Sequence, residues 1–548
     1  MKRLYKLIML MLTDYFYLFK YHWGKKLTTS CHITIDAIDN DKVLPDTVYR
    51  KLISHKVQIL GDHYLDFAKS GLVWDVCPRT GFQWSNRWHR FVNKERPVST
   101  DIKIPWEMGR LQHLTTLMLY AKSDEIELHI HNTIVDFHNK NKIGFGVNWA
   151  CTMDVSIRVV NLVIIYLLTN KVETKDFILS LLPHYYYFIC KFDEWNDGNR
   201  NNHYLTNVMA KLVLSQFLFK CTQNNIYNID AISFISDFER ELDYQFTNDG
   251  VNVEGSVNYH RLSTEIVLLT YYFSKEFGFD KTINPTCLIK FGKMCEYILA
   301  LYNDHGHSQI GDTDSGCIVN FCPVYRNNNG LIVQDFSKVN QRLFSIDINS
   351  ISGVASLIRA MVDGYTSTIL ETQPIVAQRV DFDGEWKLPV STPIFTIVCN
   401  DRDSGIVKLV VDNGYVIIKR LGKFNTGHSH LDALRVEIYI NGVFYSLFKG
   451  TERYAKPLKD RCFDRVGFYG YTMNNLFPCF SPLPKSMLTL DRLFIEEKRV
   501  RVETDDHFIE VCCVENGLTL RANVNPFVYP EIFYPSYHSP RDVLYNEK

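Results

Sequence analysis

Beyond its first residues the sequence has no run of about 18–20 uncharged apolar residues, the length a membrane-spanning helix needs, so no spanning segment is expected. The N-terminus, MKRLYKLIMLMLTDYFYLF, starts basic and turns apolar, but Asp14 interrupts the run and no small-residue cleavage site follows. It reads as an N-terminal helix rather than a secretion signal, which makes a cytoplasmic location the expectation. A non-standard export signal to the periplasm or a peripheral membrane anchor is the alternative. The 14 cysteines lack the short regular spacings of a disulfide scaffold or a zinc ribbon. Cys512 and Cys513 are adjacent, a poor geometry for bridging each other, and the set reads as reduced, mostly buried thiols. Charge of one sign is lacking too: 60 Lys and Arg face 61 Asp and Glu, for a net charge of −1. Nothing therefore steers the protein toward nucleic acid, and no nucleic-acid partner is expected. No repeat recurs at a fixed period, which excludes a regular solenoid.

What is present is ordinary globular composition, with 46% hydrophobic and 22% charged residues over 548 positions. At roughly 100–200 residues per domain that length allows two to four domains, with cores large enough to dispense with staples. The aromatic share is 14%, which suits sugar-binding clefts but serves cores more often. The first two thirds carry helical periodicity. From Asp154 to Leu168, Val155, Val159, Leu162, Val163, Tyr166 and Leu167 share a face, and Ile157, Val160, Ile164 and Ile165 make the rest apolar, so this helix is buried nearly all round. A second helix runs from about Tyr204 to Phe219 and a third begins near Tyr259. Polar, Asn- and Gly-rich segments at 196–202, 248–255 and 303–316 separate them. After about residue 395 the pattern alternates with period two, as in Val407, Leu409 and Val411, with Asn413-Gly414, Asn441-Gly442 and Asn516-Gly517 as hairpin turns. Helices first and short antiparallel strands second predict a helical array followed by a β-sandwich.

Four segments concentrate chemistry. Asn199-Arg200-Asn201-Asn202-His203-Tyr204 precedes a helix, where Asn and His can be simple caps. Asn248-Asp249-Gly250 leads through Glu254-Gly255-Ser256 to Tyr259-His260-Arg261, taken alone a turn into a helix. Gly311-Asp312-Thr313-Asp314-Ser315-Gly316 is a polar loop whose spacing misses the calcium-binding EF-hand pattern. Gly427-His428-Ser429-His430-Leu431-Asp432 contains His-x-His, a metal-ligand spacing that still needs a third ligand from elsewhere.

Together and in this order these segments resemble the heparinase II/III-like polysaccharide lyases, which include alginate, heparin and heparan sulfate lyases. Upstream, Trp106-Glu107-x-x-Arg110 resembles a segment of that family's helical domain. Asn148-Trp149 through Asp154, Arg158 and Asn161 resembles members from bacterial surface-polysaccharide gene clusters. The resemblance covers roughly residues 95–475. It implies an N-terminal helical segment over 1–95, an incomplete (α/α) toroid over 96–360 and an antiparallel β-sandwich over 361–548. It also implies an acidic, uronate-containing polysaccharide as partner, cleaved by β-elimination without a cofactor. Such an enzyme must neutralise the uronate carboxylate, remove the C5 proton and protonate the C4 oxygen as it leaves. By resemblance Asn202 hydrogen-bonds the carboxylate, His203 neutralises it or acts as base, Tyr259 donates to the leaving oxygen, and His428 completes the set from the sandwich side. Glu254, Arg261, Trp149 and Asp312 are the candidate substrate-side contacts, with Glu254 and Arg261 also placed to orient the catalytic groups.

The sequence departs from that pattern at a structural metal held by many relatives. His430 is present, but Phe448 and Gly470 stand where an Asp and a second His are expected, so no metal is expected there. That departure leaves a non-catalytic glycan-binding or assembly protein as one alternative. A glycoside hydrolase using two carboxylates among Asp249, Glu254, Asp312 and Asp314 is another. The oligomeric state is not legible.

Overall fold

Two layers of helix follow from two kinds of helical sequence. In the computed structural model, which describes residues 44–319 apart from a few short loop stretches and, beyond them, chiefly 376–448 and 492–527, the helices Gln112–Tyr120, Thr152–Leu168, Asn202–Thr222 and Val257–Glu276 pack side by side in succession. The last three are almost wholly buried; the first of them is apolar nearly all round, and the other two enclose polar side chains such as Asn207, Gln216, Ser263 and Glu265. Between them come Asp124–Lys140, Val172–Lys191 and Asn225–Gln245, each with one buried stripe and one polar face. A helix without a polar face belongs inside and an amphipathic one outside. Because each inner helix is reached through an outer one running back, the inner N-termini share one rim, and that rim carries Cys151, Asn202 and Ser256.

Sequence fixes those starts locally. The Asn201 side chain accepts from the His203 amide at 3.1 Å, and Ser256 Oγ accepts from the Tyr259 amide at 3.3 Å, each satisfying a donor the helix cannot. Residues 44–92 pack onto the same core through Val48, Leu52, Phe67, Trp74, Trp84 and Trp88. Buried charge is paired: Arg110 Nε lies 2.6 Å from Asp154, and fully buried Arg158 donates to the Asn148 and Gly109 carbonyls with the Phe137 ring 4.6 Å away. The Trp106-Glu107-x-x-Arg110 and Asn148–Arg158 segments therefore brace the helical domain.

The strands form two facing sheets. In one, Thr396–Asp401, Ile406–Val411, Gly414–Lys419, Arg435–Ile440 and Val443–Ser446 run antiparallel in chain order. In the other, Arg492–Glu496, Arg499–Glu503, Phe508–Val514 and Gly517–Ala522 do likewise, and the earlier strand Glu385–Lys387 pairs antiparallel with the last of them. Asn413 and Asn441 take φ of 52°, the left-handed geometry that Asn tolerates at tight hairpins. Val407, Leu409, Val416, Ile418, Val436 and Ile438 meet Val500, Val502, Ile509, Val511, Leu518 and Leu520 in the sandwich core.

The first sheet is buried on its other face as well. Ile406, Tyr415, Ile417 and Phe444 pack on Val251, Val257, Tyr297, Leu301 and Ile310 from the helical domain. Polar pins fix the register of the two domains: Lys408 Nζ donates to the Ala300 carbonyl at 2.6 Å and Ser308 Oγ to buried Glu437 at 2.7 Å. Among the described residues no helix is long and apolar enough to cross a membrane.

The loop that leads from helices to strands is tied down by Glu265. Its Oε1 accepts from the amides of Ile318 at 3.0 Å and Val319 at 2.9 Å. Burial raises its pKa from 4.5 to about 7, against the lowering effect of those bonds and of Arg261 and Arg110. A carboxyl whose pKa rises on folding binds its proton more tightly in the folded chain. The contribution of this group to stability is therefore fully present below pH 4.5 and is lost as pH climbs toward and past 7, by on the order of 3 kcal/mol. Glu265→Gln keeps the accepting oxygen and has no proton to lose. Thermal melts from pH 4 to 8 should show the variant gaining on the wild type as pH rises; parallel curves would remove Glu265 as the source.

Candidate active site

The rim of inner-helix N-termini holds a connected set of polar side chains. Asn202, the first residue of its helix and 1% exposed, donates its backbone amide to Glu254 Oε1 at 2.7 Å. Its side-chain amide donates to both Glu254 oxygens, at 3.0 and 2.8 Å. Glu254 lies just past the 248–250 turn, its own amide held by Asn252 at 3.0 Å. Its second oxygen stands 3.5 Å from His428 Nε2, while His428 Nδ1 lies 3.1 Å from Asp312 Oδ2. One imidazole is thus clamped between two buried carboxylates. The Asp312 amide also donates to the His428 carbonyl at 2.8 Å.

Tyr259 completes the set. Its ring stacks on His428 with centroids 3.6 Å apart and planes 16° from parallel. Ser256 caps its helix and donates its hydroxyl to the Asp312 carbonyl at 2.7 Å. Gly311 permits this closeness: it takes φ +78°, and a Cβ there would lie 2.7 Å from the Gly255 carbonyl oxygen. His203 points elsewhere on the rim, its Nδ1 3.0 Å from Glu194 and its side chain 38% exposed. Burial works against its charge, but Glu194, helped by Asp154 and Glu254, wins and raises its pKa above the ordinary histidine value.

The structure therefore brings Asn202, Tyr259 and His428 together through Glu254 and Asp312, with His203 on the same rim. It alters several expected contacts. Trp149 does not face substrate: it is fully buried, edge-on to Phe188 at 4.9 Å and donating to the Asn141 carbonyl at 3.3 Å, so it is a core residue. Asp312 and Glu254 are enclosed and hold His428 and Asn202 rather than presenting a surface to a sugar. Arg261 is 2% exposed and donates to the Gly316 carbonyl at 2.8 Å, shaping the 311–319 loop. No sugar ring fits between Tyr259 and His428, because 3.6 Å is direct ring contact; a substrate must meet the edges of the pair or part them. Phe448 is buried, its amide donating to Glu437 at 3.2 Å, whereas Ser429, His430, Asp432 and Gly470 lie outside the described residues. Glu194 and Cys151 had no sequence signal as neighbours of His203, since only the helix packing joins them.

By sequence, no protein-family model and no curated protein matches the chain. By structure, a crystal structure of heparinase III aligns over 90% of this chain and 72% of its own length, at 12% identity and a TM-score of 0.55. Another heparinase III gene product aligns over 91% of this chain and 72% of its own, at 14% identity and a TM-score of 0.50. A heparan sulfate lyase from Pedobacter heparinus aligns over 90% and 70%, at 15% identity and a TM-score of 0.45. The chain has a heparinase-type polysaccharide lyase fold. Its helices form the α/α toroid of that fold and its two sheets the β-sandwich. On a heparinase-type fold the clamped His428 reaches the toroid rim from the sandwich side, across the seam that Val257, Ile310 and Tyr415 seal.

Proposed function

We propose that this protein is a lyase that cleaves a uronate-containing acidic polysaccharide by β-elimination. The observation that carries the proposal is the contact of Tyr259 with His428, two residues of different domains, with His428 held by the carboxylate that also holds Asn202. In the reaction the C5–H bond breaks and its electrons form the C4–C5 double bond as the C4–O bond breaks. Tyr259 and His428 supply a base for the C5 proton and an acid for the leaving oxygen, returning to their starting states when the proton passes between them. The readily charged His203 answers the substrate carboxylate, lowering the cost of charge developing beside it, while Asn202, its amide committed to Glu254, holds the Glu254 carboxylate in place. Three inner-helix N-termini at one rim add partial positive charge where an anionic chain would lie. Surface-polysaccharide metabolism in bacteria is the setting this reading implies, with a cytoplasmic location the working assumption.

The hydrolase alternative fits less well. Glu254 and Asp312 face each other across His428, which fills the space a sugar would need between two catalytic carboxylates. Asp249 is exposed and paired with Lys293 at 3.6 Å. A glycan-binding protein is the second reading, favoured by Phe448, buried where the resemblance expects a metal-binding Asp. Incubation with a panel of acidic polysaccharides separates all three. The expected result is a rise in ultraviolet absorbance from unsaturated uronate ends; new reducing ends without that absorbance, or binding without cleavage, would overturn the lyase proposal.

A further inference from the structure

We propose that Cys151, Glu194 and His203 form a binding site for a zinc-class divalent metal ion on the rim of the helical domain. Among the described residues they are a group whose ligand atoms all lie within 4.8 Å of one another. Cys151 Sγ is 3.8 Å from His203 Nδ1 and 3.9 Å from Glu194 Oε1, and Nδ1 and Oε1 are 3.0 Å apart. Zinc bonds of about 2.3 Å to sulfur and about 2.0–2.1 Å to nitrogen and oxygen, at tetrahedral angles, put ligand atoms about 3.3–3.6 Å apart. Each observed separation is within about 0.4 Å of that.

The arrangement is unlike a nucleophile triad. A Cys–His–acid triad uses both ring nitrogens, one for the thiol and one for the acid. Here thiol and carboxylate converge on the same Nδ1, which suits a shared cation. Both contacts are made through Nδ1, so among the described residues His203 can still turn Nε2 to a substrate. The donor set selects the metal: thiolate and imidazole favour zinc or cobalt over calcium and magnesium, which want oxygen. Thiolate and carboxylate also balance a dication's charge.

The surroundings hold the ligands in place. The other Glu194 oxygen accepts from the Met153 amide at 2.7 Å, and the Glu194 amide donates to Asn207 Oδ1 at 2.8 Å. Cys151 is fixed as the residue preceding the Thr152–Leu168 helix and is 4% exposed. His203 and Glu194 are 38% and 30% exposed, which leaves a side for a fourth ligand, a water or an anionic oxygen. The sequence pointed away from metal because Phe448 and Gly470 stand at the sandwich positions; these three ligands lie in the other domain. The site does not depend on the lyase proposal, and its test reads metal, not turnover.

The experiment uses the full chain. Metal content is measured as purified, then the protein is stripped with chelator and titrated with Co²⁺ while the near-ultraviolet thiolate-to-cobalt band is followed. One zinc or cobalt per chain is expected, with the band saturating at one equivalent. Cys151→Ser should abolish the band, and His203→Ala should weaken binding by more than the ~10–100-fold that loss of an outer-shell partner costs. Glu194→Gln, which preserves the acceptor for the Met153 amide, should weaken binding without unfolding the chain, checked by thermal melt. Absence of stoichiometric metal, or an undiminished band in Cys151→Ser, would overturn the site.

Discussion

Replacing Tyr259 with Phe is expected to lower kcat on acidic polysaccharide by on the order of 10²-fold or more while leaving polymer binding nearly intact. The substitution deletes one hydroxyl and keeps the ring. The ring carries the stack on His428 and the backbone amide carries the Ser256 cap, and both contacts survive the substitution. A core tyrosine that merely packs would lose little on this change. A tyrosine that moves the reaction's proton would lose the step itself. Initial rates from ultraviolet absorbance, beside binding measured by affinity electrophoresis in the polymer, distinguish the two. Full activity in Tyr259→Phe would remove Tyr259 as the acid, and weakened binding with unchanged kcat would make it a sugar contact instead.

Legibility followed the range of the interactions. The Thr152–Leu168 helix was readable because its burial is written into its own residues, and the hairpins at Asn413-Gly414 and Asn441-Gly442 because a tight turn is chosen by two of them. Trp149 misled for a definite reason: an aromatic residue inside a motif looks the same in sequence whether its ring faces a sugar or Phe188. The Glu254–His428–Asp312 clamp was not legible, because its members come from three distant segments that meet only when the sandwich seats on the rim. Cys151 and Glu194 beside His203 were hidden the same way, by helix packing that leaves no spacing rule in the chain.

Removing the imidazole of His428 is expected to abolish turnover and to cost stability as well. His428→Ala takes the second member of the proton-moving pair from Tyr259, so kcat should fall by at least ~10²-fold. A side chain on a cleft ordinarily contributes little to folding. This one differs, because its two nitrogens face Asp312 at 3.1 Å and Glu254 at 3.5 Å, carboxylates that are 0% and 3% exposed. Deleting it leaves two buried acids facing each other without the group between them. Loss of a buried partner of this kind costs about 1–3 kcal/mol, with more for charged groups. A lowered melting temperature is therefore expected alongside inactivity. The double variant His428→Ala/Asp312→Asn separates the two effects, since it removes one of the stranded charges but restores no proton carrier. It should recover part of the lost stability and none of the activity, a non-additive result that only coupled groups give. Strict additivity of the two changes in melting free energy would dissolve the clamp, and an active His428→Ala enzyme would take the sandwich out of the catalytic site.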